Sequence, residues 1–389
     1  MTPWEVAVGC VWDGIVPDPL PHVDSGAPAL DALRIAIRRE LSAGRCAVSF
    51  SGGRDSSAVL AVAVDEARRH GLPLPVAFSL LYPGAEGTNE GDWQELVVRH
   101  LGVEDWEKFH VPPTAGELLG PSVLGSVTDH GLLWSPAVHT MVCWLPSLRG
   151  MTVLTGEGGD EILGAQRVTP LRAALSTVRH DPRRALDRRL LRRALEPLQP
   201  VAVRRKRWAS NVSDLWSWLR PSAREQALHD VGVAATRQPL AWRAAVRSEP
   251  RRAAVRRGEV ARRMVAGRWA VRLVDPLHDP AFVESFARQG GLLGWSGRDA
   301  AMHRLFHGLL PDAVLYRRSK AYFNRVYFGP ESREVARGLT ADVHPEWVDQ
   351  DRLRHMWQAD LVDAGVTALA QAAYLDANGL SRAGSRPAS

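Results

Sequence analysis

Two glycine turns, each set between a short apolar run and a helix start, constrain this chain more than any other feature. The first runs Val48-Ser49-Phe50-Ser51-Gly52-Gly53-Arg54-Asp55-Ser56-Ser57-Ala58-Val59-Leu60. Gly52 and Gly53 let the backbone approach a phosphate with no side chain in the way. Ser51, Ser56 and Ser57 add hydroxyl donors where a helix N-terminus already favours anions. A strand-to-helix turn with ordinary capping serines is the other reading of the same residues. Asp55 separates the two, because a carboxylate aimed at a polyphosphate is repulsive unless a cation lies between them. The loop therefore implies Mg²⁺ as well as a nucleotide. It is not the commoner phosphate loop, since G-x-x-x-x-G-K-[ST] occurs nowhere in the chain, nor is it G-x-G-x-x-G.

The second turn follows Met151-Thr152-Val153-Leu154 and reads Thr155-Gly156-Glu157-Gly158-Gly159-Asp160-Glu161-Ile162-Leu163-Gly164. Three acidic residues crowd one turn, which alone would also suit an ordinary helix N-terminus. Apolar runs at Cys46–Phe50, Val76–Leu81, Phe109–Val111 and Met151–Leu154 alternate with helical patterns at Ser56–Arg69, Asn89–Leu101 and Pro136–Leu148. That alternation predicts an α/β fold, a parallel sheet with helices on both faces and ligands at the strand C-termini, where both turns lie. Beyond about residue 175, Leu, Ala and Arg recur at helical spacing. The expected division is a short extension over 1–28, a nucleotide-binding core over 29–175, a helical part over 176–380 and a disordered tail over 381–389.

The first loop resembles that of the PP-loop ATP pyrophosphatases, whose core is of the adenine nucleotide alpha hydrolase-like type and which cleave ATP to AMP and pyrophosphate. With the second motif, the chain is similar to the synthetase domain of class B asparagine synthetases and their amide-forming relatives, the β-lactam synthetases and lasso peptide macrolactam cyclases. Arg272-Leu273-Val274-Asp275-Pro276-Leu277-His278-Asp279 is a loose match to a further family segment, R-x-P-x-L-D, and carries Arg272 and Asp279 over only loosely. Leu310-Pro311-Asp312-Ala313-Val314-Leu315-Tyr316-Arg317-Arg318-Ser319-Lys320-Ala321-Tyr322-Phe323 is a close match to another. The resemblance implies ATP and Mg²⁺ as cofactors, with Asp55 and Asp160 on the metal. It implies a nucleotide site drawn from Phe50, Ser51, Gly52, Gly53, Asp55, Ser56, Ser57, Leu80, Thr155, Gly156 and Lys320, with Lys320 and Glu157 catalytic. Composition adds weight to Lys320: of 49 Lys plus Arg, only Lys108, Lys206 and Lys320 are lysines. A compact ammonium suits a site where charge develops on pyrophosphate and an oxyanion at once. Glu157 would take the proton of an incoming amine.

Asparagine synthetases begin with a glutaminase domain whose cysteine is exposed when Met1 is removed. Here Met1 precedes Thr2-Pro3 and the first loop already begins at Ser51, leaving no room for such a domain. Cys10 is read as a small buried side chain rather than a displaced nucleophile. The amine is then expected to be free ammonia or part of the substrate. The expected function is an ATP-dependent amide-forming ligase that adenylates a carboxylate, acting on a peptide or specialised metabolite, with macrolactam closure as its sharpest version. Its expected partners are a carboxylate- and amine-bearing substrate, a precursor peptide being one form, and partner biosynthetic proteins. An ammonia-dependent asparagine synthetase-like enzyme, a PP-loop tRNA-modifying enzyme and a non-catalytic family member are the alternatives.

The charge balance is mild, a net +6 with 43 acidic residues. The stretch Arg183–Arg207, followed by Trp208, Trp216 and Trp218, is the strongest nucleic-acid signal. Arginine has largely replaced lysine along the whole chain, however, so a solvated helix face is the first reading and a groove for an acidic or peptide substrate the second; nucleic acid is not expected. No apolar run reaches the roughly 18 residues of a membrane span, and the N-terminus has no basic start, which places the chain in the cytoplasm. Cys10, Cys46 and Cys143 form no C-x-x-C pair, and His303 with His307 at i, i+4 lacks a third ligand and reads as helix surface.

Overall fold

The computed structural model describes residues 1–12, 14, 26–85, 88, 90–212, 215–319, 321 and 323–380. Five strands, β1 Cys46–Ser49, β2 Val76–Leu81, β3 Trp106–His110, β4 Thr152–Leu154 and β5 Arg272–Val274, form one sheet in the order β3-β2-β1-β4-β5. Every pairing is parallel. The chain leaves β1 toward β2 and β3, then returns to lay β4 on the other side of β1. The order reverses between β1 and β4, the place where an open parallel sheet leaves a crevice at its carboxyl ends. Both glycine turns leave the sheet there.

The side-chain period of two divides the strands between two cores. Cys46, Val48 and Leu154 face a cluster built from the helices Ala29–Ala43, Arg54–His70 and Pro280–Gln289, whereas Ala47, Phe78, Val153 and Leu273 face one built from Met141, Trp144, Leu145, Val265 and their neighbours. Helix Arg54–His70 is buried continuously from Ser56 to Val64, so it crosses the sheet as a central rod and its N-terminus is held rigidly at the crevice. A third cluster joins the helix Pro3–Val8 to the C-terminal helices, with the Trp216 and Trp218 indoles donating to the carbonyls of Val8 and Ala7, both at 2.8 Å.

The expected α/β parallel sheet is present, and two local expectations change. The Pro136–Leu148 pattern is not one helix but two 3₁₀ segments, Pro136–Cys143 and Leu145–Leu148. Pro146 has no amide to donate and its ring clashes with the preceding turn, so a continuous α-helix cannot pass it. β5 is not visible as a strand in the sequence: Leu273 and Val274, between Arg272 and Asp275, give too short a run for periodicity, and β4 recruits it by register. The boundary at residue 175 thus leaves the fifth strand of the sheet on its far side. The tail over 381–389 lies outside the described residues. Among the described residues, no helix is long and apolar enough to cross a membrane.

Candidate active site

The first loop closes on itself before it meets any ligand. Gly52 has φ +83°, and a Cβ there would stand 2.9 Å from Gln94 Cγ, so glycine is required by both conformation and space. The Ser51 amide donates to Ser56 Oγ at 3.2 Å, the Gly53 amide to Ser51 Oγ at 3.3 Å, and the two hydroxyls lie 3.1 Å apart. Gly53 begins the helix Arg54–His70 with no side-chain cap, which leaves its first-turn amides open to an anion.

Arg317 braces this loop from the far end of the chain. It is buried over the Trp93 ring, donates from Nη1 to the Gly52 carbonyl at 2.7 Å and pairs through Nη2 with Glu90. A guanidinium can hold a carbonyl and a carboxylate at once, which an ammonium would do less well.

Glycines in the second loop explain its spacing. A Cβ on Gly156 would lie 2.6 Å from the Ser56 amide nitrogen, one on Gly159 would lie 2.1 Å from Asp55 Cγ, and one on Gly158 would meet the His278 ring at 2.5 Å. The second loop is packed backbone-first onto the first turn of the helix Arg54–His70. That contact brings Asp160 and Asp55 onto one guanidinium: Arg298 donates to both oxygens of Asp55, at 2.6 Å to Oδ1, and to Asp160 Oδ1. Burial pushes the Asp55 carboxyl above its ordinary range, and Asp160 adds to that while Arg298 opposes it.

Behind the second loop runs a chain of polar contacts. Thr155 Oγ1 donates to Asp275 Oδ1 at 2.5 Å, Arg262 donates to Asp275 Oδ2 at 2.7 Å, and the same guanidinium lies 3.5 Å from Glu157. The Glu157 side chain is 53% exposed, but only into a cleft walled by protein. Loss of solvent within those walls raises its pKa, Arg262 works the other way, and Asp275 and Glu161 raise it further. His278, with Nε2 unpartnered, is held below its ordinary pKa by burial and so stays neutral.

Two cavities meet here. One of about 450 Å³ is lined by Ser51, Gly53, Asp55, Ser56, Thr155, Gly156, Glu157, Asp160, Arg298, Arg318 and Ser319. The other, about 560 Å³, carries Leu80, Tyr82, Trp134, Trp144 and Tyr327 on its walls with Glu161, Arg252, Arg262 and His278. Ser49, Thr155 and Glu157 line both.

The expected residues therefore fall into groups. Ser51, Gly53, Asp55, Ser56, Thr155, Gly156, Glu157 and Asp160 are gathered around one cleft. Phe50 is buried against Trp106, with its amide donating to the Phe78 carbonyl at 2.7 Å, and does not line the cleft; Ser57 is fully buried, and Leu80 belongs to the adjoining cavity. Lys320 lies outside the described residues, between Ser319 and Ala321, which both line the cleft. Arg272 and Asp279 are structural: Arg272 pairs with Glu40, and Asp279 caps the helix Pro280–Gln289 by accepting from the Ala281 amide at 2.9 Å. Arg298, Arg262, Asp275 and His278 were missed as site residues. Asp275 alone gave a signal, an acidic residue directly after the apolar pair Leu273-Val274, in the same position relative to β5 that Thr155 holds after β4. The third residue beside His303 and His307 is Asp312, whose Oδ1 lies 4.0 Å from His303 Nε2 and 3.5 Å from His307 Nδ1; none of the three lines the cleft.

The donor set fits the cation that the first loop implies. Two carboxylates with oxygen-only chemistry suit Mg²⁺, and the demand for positive charge between them is visible in the guanidinium they hold. A comparison with curated protein sequences found no match. The asparagine synthase family model matches residues 29–378, spanning the sheet, both loops and the Arg317 segment. The chain belongs to the asparagine synthase family, ATP-dependent ligases that form amide bonds.

Proposed function

We propose that this protein activates a substrate carboxylate as an acyl-adenylate, releasing pyrophosphate from ATP, and passes the acyl group to an amine with release of AMP. The observation that carries this reading is Glu157, which lies at the junction of the two cavities. The carboxylate and ATP meet on the phosphate side, and the amine reaches the carbonyl from the other.

The carboxylate oxygen attacks the α-phosphorus, and the bond to the pyrophosphate oxygen breaks. Open amides in the first turn of the helix Arg54–His70, with Ser51 and Ser56, receive the phosphates. Asp55 and Asp160 would hold Mg²⁺, which when bound offsets charge on the leaving pyrophosphate. Lys320 is assigned to the same charge and to the oxyanion of the second step. The amine nitrogen then attacks the acyl carbon, the bond to AMP breaks, and Glu157 accepts the ammonium proton. Its raised pKa makes it a stronger base than an exposed carboxylate, and Arg262, anchored on Asp275, keeps it oriented. Confining both partners in one pocket can be worth up to roughly 7–11 kcal/mol of the barrier.

A specialised substrate, such as a peptide closed on its own side-chain carboxylate, is supported by the adjoining cavity. Walls of Tyr82, Trp134, Trp144 and Tyr327 suit a large, partly apolar body better than a free small amino acid. The test is pyrophosphate release from Mg·ATP by purified protein offered carboxylates with and without amines, with Asp160→Ala as blank. AMP and pyrophosphate that depend on the carboxylate, vanish in the variant and accompany a product lighter by one water support the reading. ADP with phosphate, or turnover unaffected by Asp160→Ala, overturns it.

A further inference from the structure

The helix Arg298–Phe306 begins with a side chain that leaves the helix and enters the phosphate side of the cleft. The two arms of the Arg298 fork span two carboxylates, Nη2 contacting both oxygens of Asp55 while Nη1 takes Asp160, and the side chain is one-fifth exposed. Its Nε is buried with no hydrogen-bond partner. The position is not adjustable by a slide of the helix, because the next residue, Asp299, is paired to Arg54 at 2.6 Å and Arg54 also donates to the Leu315 carbonyl at 3.2 Å. Arg54 and Asp55 are neighbours on the first turn of the loop helix, so two adjacent arginine–aspartate pairs, crossed in direction, clamp the two helix starts together.

A divalent ion and a guanidinium cannot both occupy the space between two carboxylates. The guanidinium, once released, finds itself in a cleft whose only new anion is the polyphosphate. Resting on the reading above, we propose that Arg298 is a nucleotide-positioning residue that holds Asp55 and Asp160 together in the nucleotide-free protein and is handed to the phosphate oxygens when Mg·ATP enters. Metal binding and nucleotide binding are then coupled: the metal alone must evict a paired cation, and the nucleotide supplies that cation with a new partner. The coupling is reciprocal, so each ligand should tighten the other by the same factor.

The experiment is Mn²⁺ binding to the full chain, read by electron paramagnetic resonance, with and without the uncleavable analogue α,β-methylene-ATP, in wild type, R298A and R298K. Without nucleotide, R298A should bind Mn²⁺ about tenfold more tightly than wild type, because the competitor is gone, and the analogue should bind R298A about tenfold more weakly. R298K, a cation without the fork, should fall between them in both measurements. Unchanged Mn²⁺ affinity in R298A, or unchanged analogue affinity, overturns the proposal while leaving the ligase reading in place. If the analogue binds neither wild type nor variant, the ligase reading falls and this proposal falls with it. Circular dichroism of R298K, which keeps the charge, separates these outcomes from simple loss of folding.

Discussion

The cleft and the helices over 183–207 both concentrate arginine, and they use it in opposite ways. In the cleft, Arg298 meets Asp55 and Asp160, Arg262 meets Asp275 and Glu157, and Arg317 meets Glu90. Along the other stretch Arg183, Arg188, Arg189, Arg192, Arg193, Arg205 and Lys206 are exposed, and the ion pairs there are Arg184–Asp187 at 3.7 Å and Arg207–Glu196 at 3.1 Å. Leu186 between them is 86% exposed. Burial decides the difference. A charge removed from water must be paired at close range, whereas an exposed one is satisfied by solvent and gains little from a partner. The same side chain is therefore a positioning device in one region and a surface in the other.

The sharpest way to break that contrast is at Arg317. Arg317→Ala leaves Glu90 buried without its cation and removes the brace on the Gly52 carbonyl, so it should destabilise by about 3–5 kcal/mol. Urea unfolding followed by tryptophan fluorescence measures it; a loss under 1 kcal/mol would mean that the buried pair is no different from the exposed ones.

Next in size is Glu157. Glu157→Gln should slow amide formation by about 100-fold while carboxylate-dependent pyrophosphate release persists, since only the second step needs the base. The sign of the pH effect follows from the raised pKa. The ionised form, which accepts the proton, predominates only above that pKa, so amide formation should increase with pH across a window lying above the ordinary value of 4.5, and Glu157→Gln should lose that limb. His278 is shifted the other way, below its ordinary value, by burial. A rate independent of pH in this window would remove Glu157 from the role of base.

Much of this region was legible before any coordinates. Short apolar runs ending in glycine turns gave the parallel sheet and located the crevice, because β1 and β4 hand their chains directly to the loops. Ser51, Asp55, Glu157 and Asp160 could be read because each lies within a few residues of those glycines. Arg298 and Arg262 could not. Arg298 meets Asp55 and Asp160, and Arg262 meets Glu157, across more than a hundred residues of sequence, and an arginine in an arginine-rich chain carries no local mark. The Pro136–Leu148 segment failed for the opposite reason: its apolar spacing is helical, but a proline at 146 vetoes the α-helix that the spacing suggests. The arginines over 183–207 are exposed, as a solvated face requires, except Arg204, which is buried and donates to the Thr236 carbonyl at 3.3 Å.

Gly159 tests whether close packing of the loops, rather than charge alone, creates the cleft. A methyl there would press 2.1 Å from Asp55 Cγ, so Gly159→Ala should cost about 1–3 kcal/mol of stability and lower pyrophosphate release by about 100-fold through displacement of Asp55. Gly125, inside the helix Pro121–His130 with nothing within 4 Å of its added Cβ, is the control: Gly125→Ala should stabilise by about 0.5–1 kcal/mol with activity unchanged. Equal effects at the two positions would mean that the loops tolerate separation.

The smallest effect belongs to the exposed arginines. Reversing Arg192 and Arg193 to glutamate puts four units of charge change on the helix Arg188–Leu195, yet neither side chain has an ion-pair partner among the described residues and both are exposed. Stability should change by no more than about 0.5 kcal/mol, measured by the same urea titration, because nothing buried is uncovered and water solvates either sign. Relief of repulsion among the neighbouring arginines acts in the stabilising direction and should fade as salt is raised toward 1 M, where the screening length is about 3 Å. A loss of several kcal/mol would show that these guanidiniums are held as tightly as those in the cleft, and the distinction between a positioning arginine and a surface one would then have to be drawn by something other than burial.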